Sequence, residues 1–279
     1  MSTEFAAWLN TLPRQWQRRC IIGAIEILPT MPGVQAVWVA GSLARGEGDE
    51  FSDVDLNCLV SSGSIPFWRE HWSDAVARCL GPLTLARTIN DSIIGGFSLT
   101  DDWKHVDLIL HPLTAFIRPA DCRILHDPHG MIENAPARNE PDSPMEVDDM
   151  SEFFFYLAGN LATLIGRKEL VLAQNAVISL RQWLVRLMLL ENRTRPPGGA
   201  RRLKPYLTPE QLQELEEAGL ALGSLEEVSS AAAIVLDNFA NRARRLAQDR
   251  ATSFPDDLLL DTRRHLRRTL GPLWPRDAG

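Results

Sequence analysis

The chain has 279 residues, 45% of them apolar and 23% charged, which is typical of a soluble globular protein with one large domain or two modest ones. Its 29 basic and 36 acidic side chains give a formal net charge of −7. Proteins that bind nucleic acid use basic surfaces to neutralise phosphates, so this charge argues against nucleic acid as a partner.

The sequence favours a cytoplasmic protein. The first residues contain no basic region followed by an apolar stretch, so we expect no signal peptide. The longest apolar-rich segment, residues 170–190, is interrupted by polar side chains, and we expect no membrane span. The four cysteines lie far apart in the sequence, which predicts free thiols rather than a zinc site or disulfides. They are Cys20, Cys58, Cys79 and Cys122.

Strand patterns alternate with helical patterns in the first half of the chain. A helical pattern covers residues 2–29 and another covers 67–80. The predicted strands are 34–40, 53–60, 83–89, 92–99 and 105–111. One crossover helix among several strands indicates a mixed sheet of about five strands.

The second half is helical, and an acidic, proline-containing segment precedes it. Residues 140–152 carry six acids and no base, which is typical of an exposed linker. Long helices are predicted at 149–166 and 168–193, and the second is so apolar that we expect it at the centre of a bundle. Helix-start signals occur at 208–211 and 224–227. The predicted fold class is therefore α+β, with a sheet domain (1–135), a linker (136–148) and a helical bundle (149–279).

One segment carries the chemistry: GSLARGEGDEFSDVDL at 41–56. Successive side chains of a strand alternate, so Asp53 and Asp55 project from one face, and the two carboxylates repel each other unless a cation lies between them. Hard oxygen ligands suit Mg²⁺. The preceding Gly41-Ser42 turn can bring backbone N–H groups and a hydroxyl close to a phosphate, because glycine has no Cβ to block the approach.

This segment resembles the signature of nucleotidyltransferases of the polymerase-beta type, which is Gly-Ser, a spacer of about ten residues, and acid-x-acid. The superfamily requires a third carboxylate on a later, neighbouring strand. Asp107, the lone acid of HVDLIL at 105–110, fits that requirement. The resemblance covers about the first half of the chain specifically and is weak over the helical half.

Shorter segments look most like the antibiotic nucleotidyltransferases, in particular the aminoglycoside and lincosamide branches. These are GEGD at 46–49, FSD at 51–53, ILHDPHG at 124–130 and RKE at 167–169. The basic segment RRLK at 201–204 resembles the part of their helical domain that reaches the triphosphate.

The resemblance implies a nucleotidyltransferase that moves a nucleoside monophosphate, most often AMP from ATP, to a hydroxyl of a small molecule and releases pyrophosphate. Asp53 and Asp55 would hold two Mg²⁺ ions and Asp107 would share one of them, so that all three are catalytic. The predicted nucleotide contacts are Gly41, Ser42, Arg45, Ser52 and Lys204.

The acceptor is expected in the cleft between the two domains. Asp107 is the first candidate for the base that deprotonates it, ahead of Glu169 and the acids at 148–152. Acidic side chains there would favour a cationic aminoglycoside, whereas the apolar helices suit a lincosamide equally well. Some members of these branches complete the site across a dimer, so the oligomeric state stays open.

Two other functions are compatible with the same motif. The first is a regulatory or antitoxin-like nucleotidyltransferase that acts on, or binds, a partner protein. Residues 258–260 are leucines where an Arg-x4-6-His toxin motif ending at His265 would need arginine, which argues against a fused toxin half. The second is a tRNA or poly(A) polymerase, which the net charge disfavours.

Two further groups of side chains receive structural interpretations. The arginines after residue 240 are interspersed with aspartates, which predicts a salt-bridged helix surface rather than a nucleic-acid face. His105 shares a strand face with Asp107, and we expect it to be a hydrogen-bonded structural residue near the site.

Overall fold

The computed structural model of the chain describes residues 3–90, 93–118, 121–136, 146–194, 202–217 and 222–275. Its contacts divide the chain into two compact units, Met1–Pro141 and Asp142–Gly279. Unit 1 combines helices with a mixed sheet and unit 2 is helical, so the predicted α+β fold class is confirmed. Most of the predicted linker lies outside the described residues, and the predicted domain boundaries stay a prediction.

Unit 1 is built on one six-stranded sheet in the order β3-β4-β5-β2-β1-β6. Strands β2 and β5 pair in parallel, and the other neighbours are antiparallel. The sixth strand is absent from the five predicted ones, and it contains the first three residues of the ILHDPHG segment. The elements of unit 1 are α1 (Thr3–Thr11), α2 (Gln15–Ile27), β1 (Val34–Val39), α3 (Gly41–Ala44), β2 (Val54–Val60), α4 (Ile65–Leu80), β3 (Leu85–Thr88), β4 (Ile94–Leu99), β5 (His105–Pro112) and β6 (Arg123–His126).

Alternation along β2 and β5 separates an apolar face of the sheet from a polar one. Val54 and Leu56 of β2, with Val106 and Leu108 of β5, are fully buried in the core that α2 and α4 complete. Residues at the intervening positions therefore project from the opposite face of the sheet. We call it the open face at the end where β2 and β5 begin. Because the motif's acids occupy these intervening positions, burial of the apolar residues decides where the carboxylates point.

Unit 2 is a bundle of long helices with one continuous apolar core. Its helices are α5 (Val147–Gly166), α6 (Leu170–Glu191), α7 (Pro209–Glu217), α8 (Leu225–Arg250) and α9 (Asp256–Leu270). Both predicted helix starts are confirmed, since Thr208 and Ser224 each form a reciprocal capping box with the residue three positions later. The expectation for α6 is wrong: Val171, Leu172 and Ile178 are exposed, so this helix lies at the side of the bundle.

The arginines of unit 2 form ion pairs, as the spacing of acids and bases predicts. Arg244 pairs with Asp256 and Arg264 pairs with Asp261 on the surface. Arg242 of α8 is different because its side chain is only 12% exposed and bridges Glu191 of α6 and Glu214 of α7. This ion-paired cluster joins three helices through groups that have lost most of their water.

The cysteines and the hydropathy agree with the expectations from sequence. All four cysteines are free, and burial raises the pKa of the Cys79 thiol to about 12. In the described part of the chain, no helix is both long and apolar enough to cross a membrane.

We expect Arg242→Ala to lower the free energy of unfolding by about 3 kcal/mol, because it leaves two partly buried carboxylates without their cation. The matched control is Arg264→Ala, which removes an ion pair whose arginine side chain is 73% exposed and should cost at most about 0.5 kcal/mol. Urea denaturation of both variants measures the difference, and equal losses would contradict the role given to the buried cluster.

Candidate active site

The three predicted carboxylates converge on the open face, at the end of the sheet where the two central strands β2 and β5 begin. Parallel pairing of β2 with β5 sets Asp55 directly beside Asp107. Asp53 precedes β2 by one residue, and His105 begins β5. The sequence brings these groups together because both strands alternate polar and apolar residues in the same register.

His105 lies between two of the carboxylates. Its Nδ1 is 3.3 Å from Asp53 Oδ2, and its Nε2 is 2.8 Å from Asp107 Oδ1. The Asp107 and Asp53 carboxylates raise the pKa of His105 to about 9, so the ring is an imidazolium at neutral pH. The sequence interpretation of His105 as an ordinary structural residue misses this charge, although the strand alternation places the ring on the correct face.

The surroundings of Asp55 disfavour the ionised form of its carboxyl group. Burial, followed by the charges of Asp53 and Asp107, raises the pKa of Asp55 to about 6. The metal-free cluster is therefore short of positive charge, even with the imidazolium of His105 in place.

Gly41 approaches Asp55 so closely that a side chain at position 41 would force the Asp55 carboxylate to move. A Cβ built on Gly41 would lie 2.0 Å from Asp55 Oδ2, and the φ of Gly41 is +68°. The backbone of the Gly-Ser turn therefore lies against the carboxylate, as the motif predicts. The turn begins as the single helical turn α3 rather than as an irregular loop.

Polar side chains hold the rest of the turn. Ser42 Oγ donates to Ser52 Oγ at 3.2 Å, and Ser52 Oγ donates to Asp49 Oδ1 at 3.0 Å. The fully buried Gln17 of α2 donates through Nε2 to the carbonyl oxygens of Asp49 and Ser52, at 3.2 and 2.7 Å. Trp8 Nε1 donates to the carbonyl oxygen of Leu43 at 3.2 Å. Sequence reasoning missed Gln17, whose signal is an amide in a helix face that is otherwise apolar.

The remaining predicted contacts lie in different surroundings. Arg45 pairs with Glu47 at 2.9 Å and with Asp121 at 3.1 Å, so its charge is already balanced by carboxylates of unit 1. Lys204 and Glu169 are exposed residues of unit 2, and their roles stay predictions.

The carboxylate cluster fits a divalent cation. Asp53, His105 and Asp107 each offer one ligand atom, and these atoms lie within 4.8 Å of one another. Asp107 Oδ1 and His105 Nε2 are both buried and lie 2.8 Å apart, but they are not aligned for a hydrogen bond. The ion pair with His105 therefore balances this oxygen only in part, and a bound cation would complete its coordination.

Carboxylates on neighbouring strands beside a Gly-Ser turn are the arrangement that the resemblance to nucleotidyltransferases predicts. The sequence matches the model of the streptomycin adenylyltransferase family over residues 24–269. The chain belongs to this family, and the predicted class of adenylyl-transferring enzyme close to the antibiotic nucleotidyltransferases is confirmed. No curated protein sequence matches the chain.

Two solved structures are similar over most of the chain. An aminoglycoside 6-adenyltransferase from Bacillus subtilis is 14% identical, with a TM-score of 0.45, and the similarity covers 92% of this chain and 99% of that one. A nucleotidyltransferase-like protein from Exiguobacterium sibiricum is 13% identical, with a TM-score of 0.29, and the similarity covers 92% of this chain and 89% of that one.

We expect Gly41→Ala to destabilise the protein more than Gly46→Ala does. Both glycines have a positive φ, +68° and +75°, so each substitution costs about 1 kcal/mol in backbone strain. Only at Gly41 does the new Cβ meet a carboxylate, and at Gly46 nothing lies within 4 Å. The difference in unfolding free energy should vanish when both substitutions are made in an Asp55→Ala background. Its persistence there would locate the clash elsewhere.

Asp55→Asn should raise the free energy of unfolding of the metal-free protein by about 2 kcal/mol at pH 7.5. The folded pKa of Asp55, about 6, lies above its usual 3.8, so the group favours the folded state at low pH and this contribution is lost as the pH rises through 6. The gain should therefore disappear at pH 4. Chemical denaturation in EDTA at both pH values measures it, with the exposed Asp74→Asn as control. A variant less stable than wild type at pH 7.5 would contradict the repulsion.

Proposed function

We propose that the protein transfers AMP from ATP to a hydroxyl of an aminoglycoside in a Mg²⁺-dependent reaction that releases pyrophosphate. The observation that carries this proposal is the convergence of Asp53, Asp55 and Asp107 beside the Gly41 turn, with His105 in contact with two of the three carboxylates. Membership of a family named for streptomycin adenylyltransferase supports an aminoglycoside over a lincosamide.

The turn from Gly41 to Ser52 supplies the groups that would bind the triphosphate. The missing Cβ of Gly41 lets the turn lie against Asp55, which brings the turn close to the carboxylate cluster. The hydroxyls of Ser42 and Ser52 lie 3.2 Å apart and can both turn toward an anion. Because Gln17 and Asp49 already hold this turn, little ordering is needed when the nucleotide binds. Lys204 remains the proposed contact from unit 2, and Arg45 would have to exchange its carboxylate partners to reach a phosphate.

Asp53, Asp55 and Asp107 would hold the magnesium, and His105 lies within reach of the same position. Bound magnesium neutralises triphosphate charge and lowers the pKa of a coordinated hydroxyl. The sheet holds the carboxylates on and next to β2 and β5, so this position is fixed before any substrate binds.

On the acceptor side, Asp107 is the proposed base. Its carboxylate takes the proton of the acceptor hydroxyl while that oxygen attacks the α-phosphorus of ATP. The bond between the α-phosphorus and the bridging oxygen breaks, and pyrophosphate leaves with that oxygen. In the metal-free cluster the imidazolium of His105, 2.8 Å from Asp107 Oδ1, offsets part of the negative charge of the carboxylates.

The test is adenylyl transfer from α-labelled ATP to streptomycin, with Mg²⁺ or with EDTA. We expect Asp53→Asn and Asp107→Asn each to lower kcat by at least about a thousandfold, because each removes a group that acts on the reacting atoms. Asp74→Asn, a carboxylate of the same unit on the exposed face of α4, should retain wild-type kcat. Calorimetry of Mg²⁺–ATP with the same variants separates lost binding from lost chemistry.

The position of the label decides between the functions. Label on streptomycin or on another aminoglycoside supports the proposal. Label on protein would favour the regulatory alternative, in which a partner protein is the acceptor. Transfer that continues in EDTA, or in the Asp53→Asn variant, would contradict the proposed mechanism.

A further inference from the structure

Two aromatic side chains of unit 1 are far more exposed than apolar groups usually are. Phe51 is 82% exposed and Trp103 is 77% exposed, the highest values for any large hydrophobic side chain among the described residues. Exposure on this scale gives the folded chain almost no hydrophobic stabilisation from either ring. Single exposed apolar residues are common, so position and backbone must show whether these two have a purpose.

Both aromatic residues lie in the segments that lead directly into the carboxylate cluster. Phe51 lies two residues before Asp53, and Trp103 lies two residues before His105. The side chains of Asp53 and His105 are in contact at 3.3 Å, and the strands that follow them pair in parallel register. Both rings therefore belong to the loops that enter the two strands of the site from the same end.

The backbone at Trp103 is one that tryptophan rarely adopts. Its φ is +62°, in the left-handed region that favours glycine and asparagine. The other described non-glycine residues with positive φ are Lys168, Arg193 and Ala251, and each of them follows the end of a helix, where this conformation is common. Trp103 instead lies in the turn between β4 and β5, where glycine would be more stable.

Hydrogen bonds within the turn fix the backbone of Trp103. Thr100 accepts at its carbonyl from the Trp103 N–H at 3.1 Å, and Thr100 Oγ1 accepts from the Lys104 N–H at 3.1 Å. Lys104 pairs with Asp102 at 2.7 Å. A strained but hydrogen-bonded backbone that presents an exposed ring beside a reaction site is typical of a residue kept for binding.

From this placement we infer that Trp103 binds the acceptor, its indole packing against a cationic, polyhydroxylated ring. The inference rests on the proposed function. Trp103 leads into β5, the strand of the proposed base Asp107, whereas the proposed phosphate contacts lie in the turn before β2. The exposed carboxylate of Asp101, two residues before Trp103, adds the negative charge that a guanidinium or ammonium group would meet. Aromatic faces attract such cations.

The test removes the indole without harming the turn. Trp103→Gly relieves the left-handed strain, so its thermal midpoint should equal or exceed that of wild type. Trp103→Asn is a second variant that tolerates the same φ. Calorimetry of streptomycin into enzyme loaded with Mg²⁺ and a non-hydrolysable ATP analogue should show a Kd raised about three- to thirtyfold in both variants. The Kd of the ATP analogue itself should stay within about twofold.

Ile117→Ala is the control, because this side chain of unit 1 is 55% exposed but follows the opposite end of β5 from Trp103. Its streptomycin affinity should equal that of wild type. Radical footprinting supplies a readout independent of affinity, since streptomycin should protect Trp103 from oxidation in the wild-type enzyme.

The outcomes separate this inference from the function on which it rests. Unchanged streptomycin affinity in both Trp103 variants overturns the inference and leaves the adenylyl-transfer proposal intact. A weakened ATP analogue with unchanged streptomycin affinity overturns it too and assigns the ring to the nucleotide base. Failure of wild type to bind streptomycin, with Mg²⁺–ATP binding intact, overturns the aminoglycoside assignment and this inference together. Failure to bind Mg²⁺–ATP overturns the proposed function itself.

Discussion

The concentration of negative charge on two adjacent strands is the constraint on which the rest of unit 1 depends. Parallel pairing of β2 and β5 brings Asp55 beside Asp107, and burial of the alternate apolar residues prevents either strand from turning its acids away. Repulsion and burial raise the pKa of Asp55 to about 6, and the imidazolium of His105 offsets only part of that charge. In the metal-free protein the proton on His105 stands in for some of the charge that a bound cation would supply.

A site of this kind needs its neighbouring turn to stay in place without help from the ligand. The buried Gln17 supports the turn at Asp49 and Ser52, and the indole of Trp8 supports it at Leu43. Both side chains belong to the N-terminal helices of unit 1. These helices therefore do more than cover the sheet, since they satisfy backbone carbonyls that an irregular turn cannot pair internally. Free energy from packing in the core thus fixes the geometry of the Gly-Ser turn.

Much of this organisation could be predicted from the sequence, because it follows from short-range patterns. Apolar patterns predicted five of the six strands of the sheet, and the capping boxes at Thr208 and Ser224 predicted two helix starts. The bridge made by His105 depends on the register of two strands more than forty residues apart, which no local pattern contains. The role of Gln17 is hidden for the same reason. The sequence of helix α6 is apolar on most sides, which predicted a place at the centre of the bundle. Composition alone cannot show which of those sides a neighbouring helix covers.

Three features that lower the stability of the folded chain lie near the start of β2 and β5 in unit 1. Their grouping is evidence for where the chemistry occurs. Asp55 lies beside two other carboxylates, and Asp107 has a buried oxygen without an aligned hydrogen-bond donor. Trp103 has a bulky side chain on a backbone conformation that suits glycine. In unit 2 Arg242, Arg244 and Arg264 are matched by carboxylates, although the buried Nε of Arg181 has no hydrogen-bond partner among the described residues. Selection for folding alone tends to remove such unfavourable groups. Their survival beside the Gly-Ser turn is explained when a cation, a triphosphate and an acceptor supply the missing partners.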